Sequence, residues 1–453
     1  MNSYEIANHD AARLAFAIGP ERAMAFRARL RRLSRTLHGR RLVNITGDDR
    51  RKGGVYELMR SGLPYLRGAG VDVCWVDLTT RPEARPALEY FHVLAHGRRP
   101  SPDWRSDLSL RSAEFARFGR DAAAELTQVL RPSDLLVLHD TQTAPVVGEL
   151  GAWAPYLVWL AQIGTADRNE RVDRYWDVVA PSVSRAGVTV FYTPDYAPTN
   201  LLAQSIFATP SIDPSTPKSA LLGRDRARAL LTSPPAGWPL RWVAGAPRQR
   251  RDVNVLAVQL SRWDPLKDMT GAYRIMRAAA AEDPTFYGMV VGPSVQSESE
   301  RRELQACLDE AERTPAGLRD RIGVGVVDDC GSDDHDMVVR VLQSAADIVL
   351  QKSVQEGFGL TVTEGMLRGK AVIASAVGGI QLQLTNDRNG VLVDPASEDQ
   401  VWVARLQALI SDEPARSQLG RQGRSDVLER HTVDRQMTAL MDGVESKLLH
   451  SQP

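Results

Sequence analysis

Short apolar, β-branched runs alternate along this chain with longer amphipathic stretches, and that alternation restricts the fold more than any other feature. Each short run reads as a buried strand and each longer stretch as a helix covering it, the pattern of βα units built into parallel sheets. The expected class is α/β. Strand candidates in the first half are residues 41–46, 71–77, 135–139, 156–162 and 188–192, with helical stretches at 55–68 and 112–129. In the second half they are 254–260, 287–291, 322–326, 348–351, 371–375 and 390–393, separated by helices at 299–312, 337–345 and 397–412.

A chain of 453 residues exceeds what one core ordinarily organises, and fits two domains of roughly 200 residues each. Between the two strand sets lies 211–251, rich in Pro and Arg, with SPPAGWP at 233–239 and weak strand character. The boundary is therefore placed near 250, giving domains 1–250 and 251–432, both Rossmann-like. The last segment, 433–453, reads as helical over 433–449 and is free to pack back on the first domain, which the sequence alone does not decide.

The 56 basic and 56 acidic residues cancel, so no global field draws the chain to nucleic acid or to an anionic membrane. Cys74, Cys307 and Cys330 are too few and too scattered for a disulfide framework. No stretch has the composition of a leader peptide or the length of a membrane span. The expectation is a cytoplasmic protein without membrane insertion; a homodimer is left open.

Three stretches carry chemistry. The first is QKSVQEGFGLTVTEGMLRGKAVIASAVGG at 351–379. A strand ending at Gln351, a glycine turn over Gly357, Phe358 and Gly359, and a helix opening at about Leu360 would aim backbone N–H groups outward at an anion. Without a Cβ, the glycines let a phosphate or sugar hydroxyl approach the backbone. Glu364 is suited to a ribose diol and Glu356 to sugar hydroxyls, since each carboxylate oxygen is a strong acceptor. The bland alternative is a solvated glutamate pair around an ordinary βα turn.

The second is VQLSRWDPLKD at 258–268, directly after a strand candidate. It places Arg262 and Lys267 in a strand-to-helix loop at the carboxyl edge of the second sheet, where open α/β sheets bind ligands. Two cations there suit a diphosphate, the guanidinium as a planar fork and the ammonium as a point charge. Surface ion pairs with Asp264 and Asp268 are the alternative. The third is Gly53 and Gly54, ahead of the first domain's helix at 56–68, which admit a phosphate or acceptor or make a plain tight turn.

These motifs carry a family resemblance. The chain resembles retaining GT-B glycosyltransferases of group 1, and most closely the trehalose-synthesising type that joins glucose to a nucleotide-activated glucose. QLSRWDPLKD, LQKSVQEGFGLTVTE and AVGGIQLQL are similar to that group's motifs in the second domain, and GGVYELMRSGLPYLRGAGVDVCW and VLHDTQTA to those of its trehalose-synthase-like branch in the first. The resemblance implies two Rossmann-like domains with parallel sheets facing a central cleft, donor on the second and acceptor on the first. It implies that Arg262 and Lys267 hold the donor diphosphate, Glu364 the ribose and Glu356 the transferred sugar. Gly357, Phe358, Gly359 and Leu360, with Gly53 and Gly54, would line the donor, and Asp140 and Gln142 of the HDTQ run would face the acceptor. A helix cap is the alternative for Asp140.

One departure stands out. Where trehalose synthases of this type end a strand in a histidine followed by an aspartate, this chain has Gln162 and Gly164. The histidine of related enzymes contacts the donor sugar near its sixth carbon, and Gln162 in the sugar pocket keeps hydrogen bonding but not charge. The expectation is a donor or acceptor other than plain glucose, in a natural-product (antibiotic) pathway with an unusual sugar, or an aminocyclitol, amino sugar or thiol acceptor.

The implied chemistry needs no protein nucleophile, no cofactor and no metal: a nucleoside diphosphate sugar and a small acceptor are the substrates, and the protein positions them and stabilises charge. The acidic run 328–336 with His335 reads as a solvated loop, Ser332 or Asp333 capping the next helix, rather than as a metal site. A sugar phosphorylase or epimerase on the same scaffold, and an inert sugar-nucleotide-binding partner, are the rival readings.

Overall fold

The computed structural model describes residues 2–47, 53–78, 81–245 and 254–449. The chain forms two compact units, the first from Met1–Asp213 with His431–Pro453 and the second from Pro214–Arg430.

The first unit holds a seven-stranded sheet of β1 (Asn2–Tyr4), β2 (Leu42–Thr46), β3 (Val73–Asp77), β4 (Leu135–His139), β5 (Leu157–Leu160), β6 (Val188–Phe191) and β7 (Ser205–Phe207). Their spatial order is β1-β3-β2-β4-β5-β6-β7. All neighbours are parallel except β1, which runs antiparallel along β3. The second unit repeats the plan with β8 (Leu240–Ala244), β9 (Val255–Leu260), β10 (Phe286–Pro293), β11 (Ile322–Val327), β12 (Ile348–Gln351), β13 (Ala371–Ser375) and β14 (Val391–Val393). Here the order is β14-β13-β12-β9-β10-β11-β8, with β8 the antiparallel edge. Strands β9, β11, β12 and β13 are buried throughout, which is why they read as continuous apolar runs.

Each sheet has one place where the order of winding reverses: between β2 and β4 in the first, between β9 and β12 in the second. Loops leaving the carboxyl ends of strands diverge at such a point and leave a crevice. The candidate residues cluster after these four strands.

The chain divides at other positions than the expected boundary. A boundary near 250 falls in 246–253, outside the described residues, and the units part instead at Asp213 and Pro214. The Pro- and Arg-rich stretch belongs to the second unit because β8 pairs with β11, and Arg224 and Arg228 of the helix Arg224–Thr232 bind Asp347 at 3.0 and 2.6 Å. The second junction, placed at 432, lies at Arg430 and His431. The helix Val433–Val444 groups with the first unit, where Arg22 binds Asp434 at 2.7 Å and Ser211 donates to Gln436 at 2.7 Å. The three cysteines are free thiols. No helix among the described residues is long and apolar enough to cross a membrane.

Candidate active site

In the second unit the crevice is built by splaying β9 from β12. These strands pair only through Ile348 with Ala257 and Val349 with Val258, and beyond that the side chain of buried Gln259 takes over. Gln259 Oε1 accepts from the Lys352 amide at 2.8 Å, and its Nε2 donates to the Lys267 carbonyl at 2.8 Å. One amide thus splices the two loops that carry the candidate residues. The Val354 amide adds a bond to the Leu266 carbonyl at 2.8 Å.

The splice brings Lys267 onto Glu356: Nζ lies 2.8 Å from Oε1, both side chains being largely out of solvent. Ser353 Oγ donates to the same oxygen at 2.8 Å and Gln351 Nε2 at 3.2 Å. Glu356 and Glu364 are only 6% and 8% exposed, which rules out a solvated glutamate pair. Glu364 accepts from Lys218 Nζ at 2.8 Å on one oxygen and from Gln343 Nε2 at 3.3 Å on the other. Arg262 is different. It is 43% exposed and pairs with Asp264 at 3.1 Å, the surface ion pair that the residue types alone allowed. Asp264 and Asp268 otherwise act as caps, accepting from the Leu266 and Gly271 amides at 2.9 Å each, and Asp268 also pairs with Lys352.

The glycine turn has the expected form. Gly359 adopts φ +87°, a conformation costly for residues with a Cβ, and sits at the cap of the helix Leu360–Leu367. Gly379 closes on the turn from behind: its amide donates to the Gly357 carbonyl at 3.1 Å, and a Cβ there would fall 2.4 Å from that oxygen. Gln383 donates to the Phe358 carbonyl at 2.6 Å. Carbonyls of the turn are therefore tied inward, leaving the amides at the start of the helix for an anion.

In the first unit, Asp140 follows β4 with φ +70°, a strained backbone for a residue with a side chain. It occupies the cap position of the turn Thr141–Thr143, but its carboxylate makes no cap bond, so capping does not explain it. Its carbonyl receives Trp159 Nε1 at 3.2 Å and Thr143 Oγ1 at 2.9 Å, fixing the conformation. Gln142 lies against Gly47 at the end of β2, where a Cβ would meet its own at 2.4 Å. Gly53 has φ +102° and caps the helix Gly54–Gly68; the stretch 48–52 before it lies outside the described residues.

Gln162 is bonded within the protein. It is 6% exposed, and both ends of its amide bind within the protein. Tyr192 Oη donates to Oε1 at 2.7 Å, Nε2 lies 3.2 Å from His139 Nδ1, and His139 Nε2 lies 3.2 Å from Asn44 Oδ1. The chain of bonds is satisfied by a neutral imidazole carrying its proton on Nε2. Burial pushes the His139 pKa down to about 3 and the Tyr192 pKa well above its ordinary value. Gln162 is thus a member of a neutral interior network. Gly164 has its own cause: a Cβ there would lie 2.6 Å from Cδ2 of Tyr196, so the position has no room for an aspartate.

Sequence reasoning missed Lys218, Gln259 and Ser353. Only Ser353 carried a signal, its place between Gln351 and Glu356. In the acidic run, Asp328 pairs with Arg241 at 3.0 Å, while the cap of the helix Ser332–Ala345 is Gly331, with Ser332 and Asp333 already inside the first turn. Among the described residues no three His, Cys, Asp or Glu side chains gather as metal ligands would.

Both halves of the chain match known families. The family "Trehalose synthase, N-terminal domain" matches residues 43–198, and "Glycosyl transferases group 1" matches 327–426. The trehalose synthase of Rubrobacter xylanophilus is 27% identical over 409 residues, 88% of each chain. That of Pyrococcus horikoshii is 25% identical over 421 residues, 90% of this chain and 91% of the other. In three dimensions the chain is similar to an alpha,alpha-trehalose-phosphate synthase (UDP-forming) from Burkholderia vietnamiensis, with a TM-score of 0.66 at 13% identity over 90% of this chain and 97% of that one. A Burkholderia xenovorans enzyme of the same name, in complex with glucose-6-phosphate, gives a TM-score of 0.66 at 11% identity over 89% and 100%. The fold is GT-B, and the chain is a glycosyltransferase close to the trehalose-synthesising enzymes.

Proposed function

We propose that this protein is a retaining, metal-independent transferase that moves a sugar from a nucleoside diphosphate sugar, held by the second unit, to a small acceptor presented by the first. The observation that carries the reading is the Lys267–Glu356 pair, 2.8 Å apart and buried beside the glycine turn at the second sheet's switch point. A cation, a carboxylate and outward amides within one crevice match the three parts of such a donor: diphosphate, sugar hydroxyls and charge appearing on the leaving group. Lys267 and the helix start at Leu360 neutralise the diphosphate. Arg262, exposed and paired with Asp264 two residues on, swings from that pair onto a phosphate oxygen. Glu356 orients the sugar and Glu364 receives the ribose. Attack by the acceptor on the face the diphosphate leaves retains configuration, and a donor phosphate oxygen takes the proton.

Two structural neighbours are named for forming UDP and one holds glucose-6-phosphate, which supports a nucleoside diphosphate leaving group and a sugar-like acceptor. The engagement of Gln162 with His139 and Tyr192 supports the further reading that the sugar is not gripped there as in histidine-bearing relatives. An unusual sugar, or an aminocyclitol, amino sugar or thiol acceptor of a natural-product pathway, fits that difference. A reducing cytoplasm suits the three free thiols.

The test is a screen of UDP-, GDP- and ADP-sugars with and without an acceptor panel, reading nucleoside diphosphate release and, by NMR, the anomeric configuration of the product. An α-linked product from an α-donor, undiminished by EDTA and abolished in Glu356→Ala, is expected. Inverted product, loss of activity on chelation, or sugar phosphate release without a nucleotide donor would each overturn the corresponding part.

A further inference from the structure

The segment between the unit junction and the helix Arg224–Thr232 contains no regular element, yet it is held firmly to the donor side of the second unit. Arg368 donates to the Glu364 carbonyl at 3.0 Å from one nitrogen and to the Lys218 carbonyl from the other. Arg340 donates to the Ala220 and Leu221 carbonyls at 2.9 and 3.0 Å. Thr216 accepts from the Ser219 amide at 3.2 Å, closing a turn around Lys218. Two arginines thus clamp a short stretch of backbone against the helices Ser332–Ala345 and Leu360–Leu367. Burial lowers the Arg368 pKa to about 10, which marks the clamp as an interior feature.

What the clamp delivers is one ammonium group. Lys218 Nζ lies 2.8 Å from Glu364 Oε1, the two side chains being 12% and 10% exposed. Gln343 Nε2 sits 3.3 Å from Oε2. A carboxylate has two lone pairs on each oxygen. With one on Oε1 directed at Lys218 and one on Oε2 at Gln343, one acceptor site on each oxygen is left. Two acceptors side by side at fixed spacing complement the two hydroxyls of a vicinal diol.

We propose that Lys218 is a positioning residue for the donor nucleotide: by fixing the Glu364 carboxylate in one orientation it turns an ordinary acidic side chain into a bidentate receptor for the ribose diol. The inference rests on the reading above that Glu364 receives the ribose. Without Lys218 the carboxylate keeps Gln343 alone and is free to rotate, so it meets a diol with one oxygen at a time. The consequence falls on donor binding and specifically on the part of it that depends on the ribose hydroxyls.

The experiment is calorimetric titration of the full chain with UDP, GDP and ADP, then of the tightest of these against its 2′-deoxy form, in wild type, Lys218→Met, Lys218→Arg and Glu364→Gln. Wild type is expected to prefer the ribose form by about tenfold, the scale of a hydrogen bond to a charged group. Lys218→Met should bring that preference to about threefold or less, with the deoxy form binding nearly as in wild type, and Lys218→Arg should restore it. Equal weakening of both forms in Lys218→Met would mean that the lysine serves only to hold the segment, and an unchanged preference would mean that it plays no part; either result overturns the inference. If Glu364→Gln keeps the full preference, the ribose reading itself fails and the inference with it. If Glu364→Gln loses the preference and Lys218→Met does not, only the inference fails. Thermal midpoints and far-UV circular dichroism on each variant identify any that does not fold, and Lys218→Arg keeps the clamp and the charge where Lys218→Met cannot be made.

Discussion

His139 offers a quantitative handle on the interior of the first unit. It is fully buried, its Nε2 faces Asn44 Oδ1, and its Nδ1 faces the Gln162 amide nitrogen, so a second proton on the ring would point at a donor. Burial places its pKa at about 3 in the folded protein, below the ordinary 6.5. A depressed histidine pKa means that the unfolded chain takes up the proton first. Stability from the neutral ring is complete above about pH 6.5 and is lost as pH falls towards 3, at about 1.4 kcal/mol per unit for one proton. Between pH 7 and pH 5 the loss should be about 2 kcal/mol. Other groups titrate in the same range, so the measurement is a difference: urea titrations at both pH values, wild type against His139→Gln, followed by hydrogen-exchange mass spectrometry on peptides covering β4 and β5. Wild type should lose about 2 kcal/mol more than the variant over this interval, even if the variant is less stable at both. Parallel losses would show that the imidazole titrates in place and would refute the network drawn here.

Other expectations follow from single contacts. Lys267→Met leaves Glu356 buried without its cation and should cost about 3 kcal/mol by thermal unfolding; adding Glu356→Gln should recover most of that while nucleotide release stays abolished, because the unpaired charge is gone but the site is not restored. Gly379→Ala drives a methyl into the Gly357 carbonyl and Phe358 Cα, both at 2.4 Å; calorimetry should show donor affinity falling at least about tenfold as the turn amides shift. Gly164→Asp, which brings in the relatives' aspartate, should destabilise the first unit by about 1 to 3 kcal/mol through its clash with Tyr196 in scanning calorimetry.

The fold was legible where strands are buried on both faces. Strands β4, β12 and β13 coincide with the apolar runs that announced them, and most others differ only at their ends. Three strands gave no such announcement: β1, β7 and β8 lie at sheet edges, where pairing with a single neighbour forms the strand whatever its residue pattern. The division at Asp213 and Pro214 was not legible for the same reason. The stretch 211–251, rich in proline and arginine, has weak strand character on its own, but its Arg224 and Arg228 are ligands for Asp347 and its β8 is a partner for β11.

At the site, residue types were readable and their partners were not. Glycine spacing identified the turn because Gly359 and Gly379 answer to local constraints, a positive φ and a close approach. Arg262, Lys267, Asp140 and Gln162 were all chosen for what their side chains can bind, but what each does bind is settled by neighbours far away in sequence. Lys267 meets Glu356 only because Gln259 holds two loops together, and a glutamine inside an apolar strand gives no hint of that. Gln162 looked available for a sugar because nothing in its own segment shows that β4 delivers His139 and β6 is followed by Tyr192, each to one end of the amide. A buried polar side chain goes to whichever partner the topology supplies first, since leaving it unmet costs about 1 to 3 kcal/mol. Candidates for ligand binding at the two switch points are therefore best sought among the polar groups with bonding capacity that the protein itself has not used. By that criterion Glu356 and Glu364, each with acceptor capacity left beyond its lysine, are stronger candidates for touching substrate than Gln162.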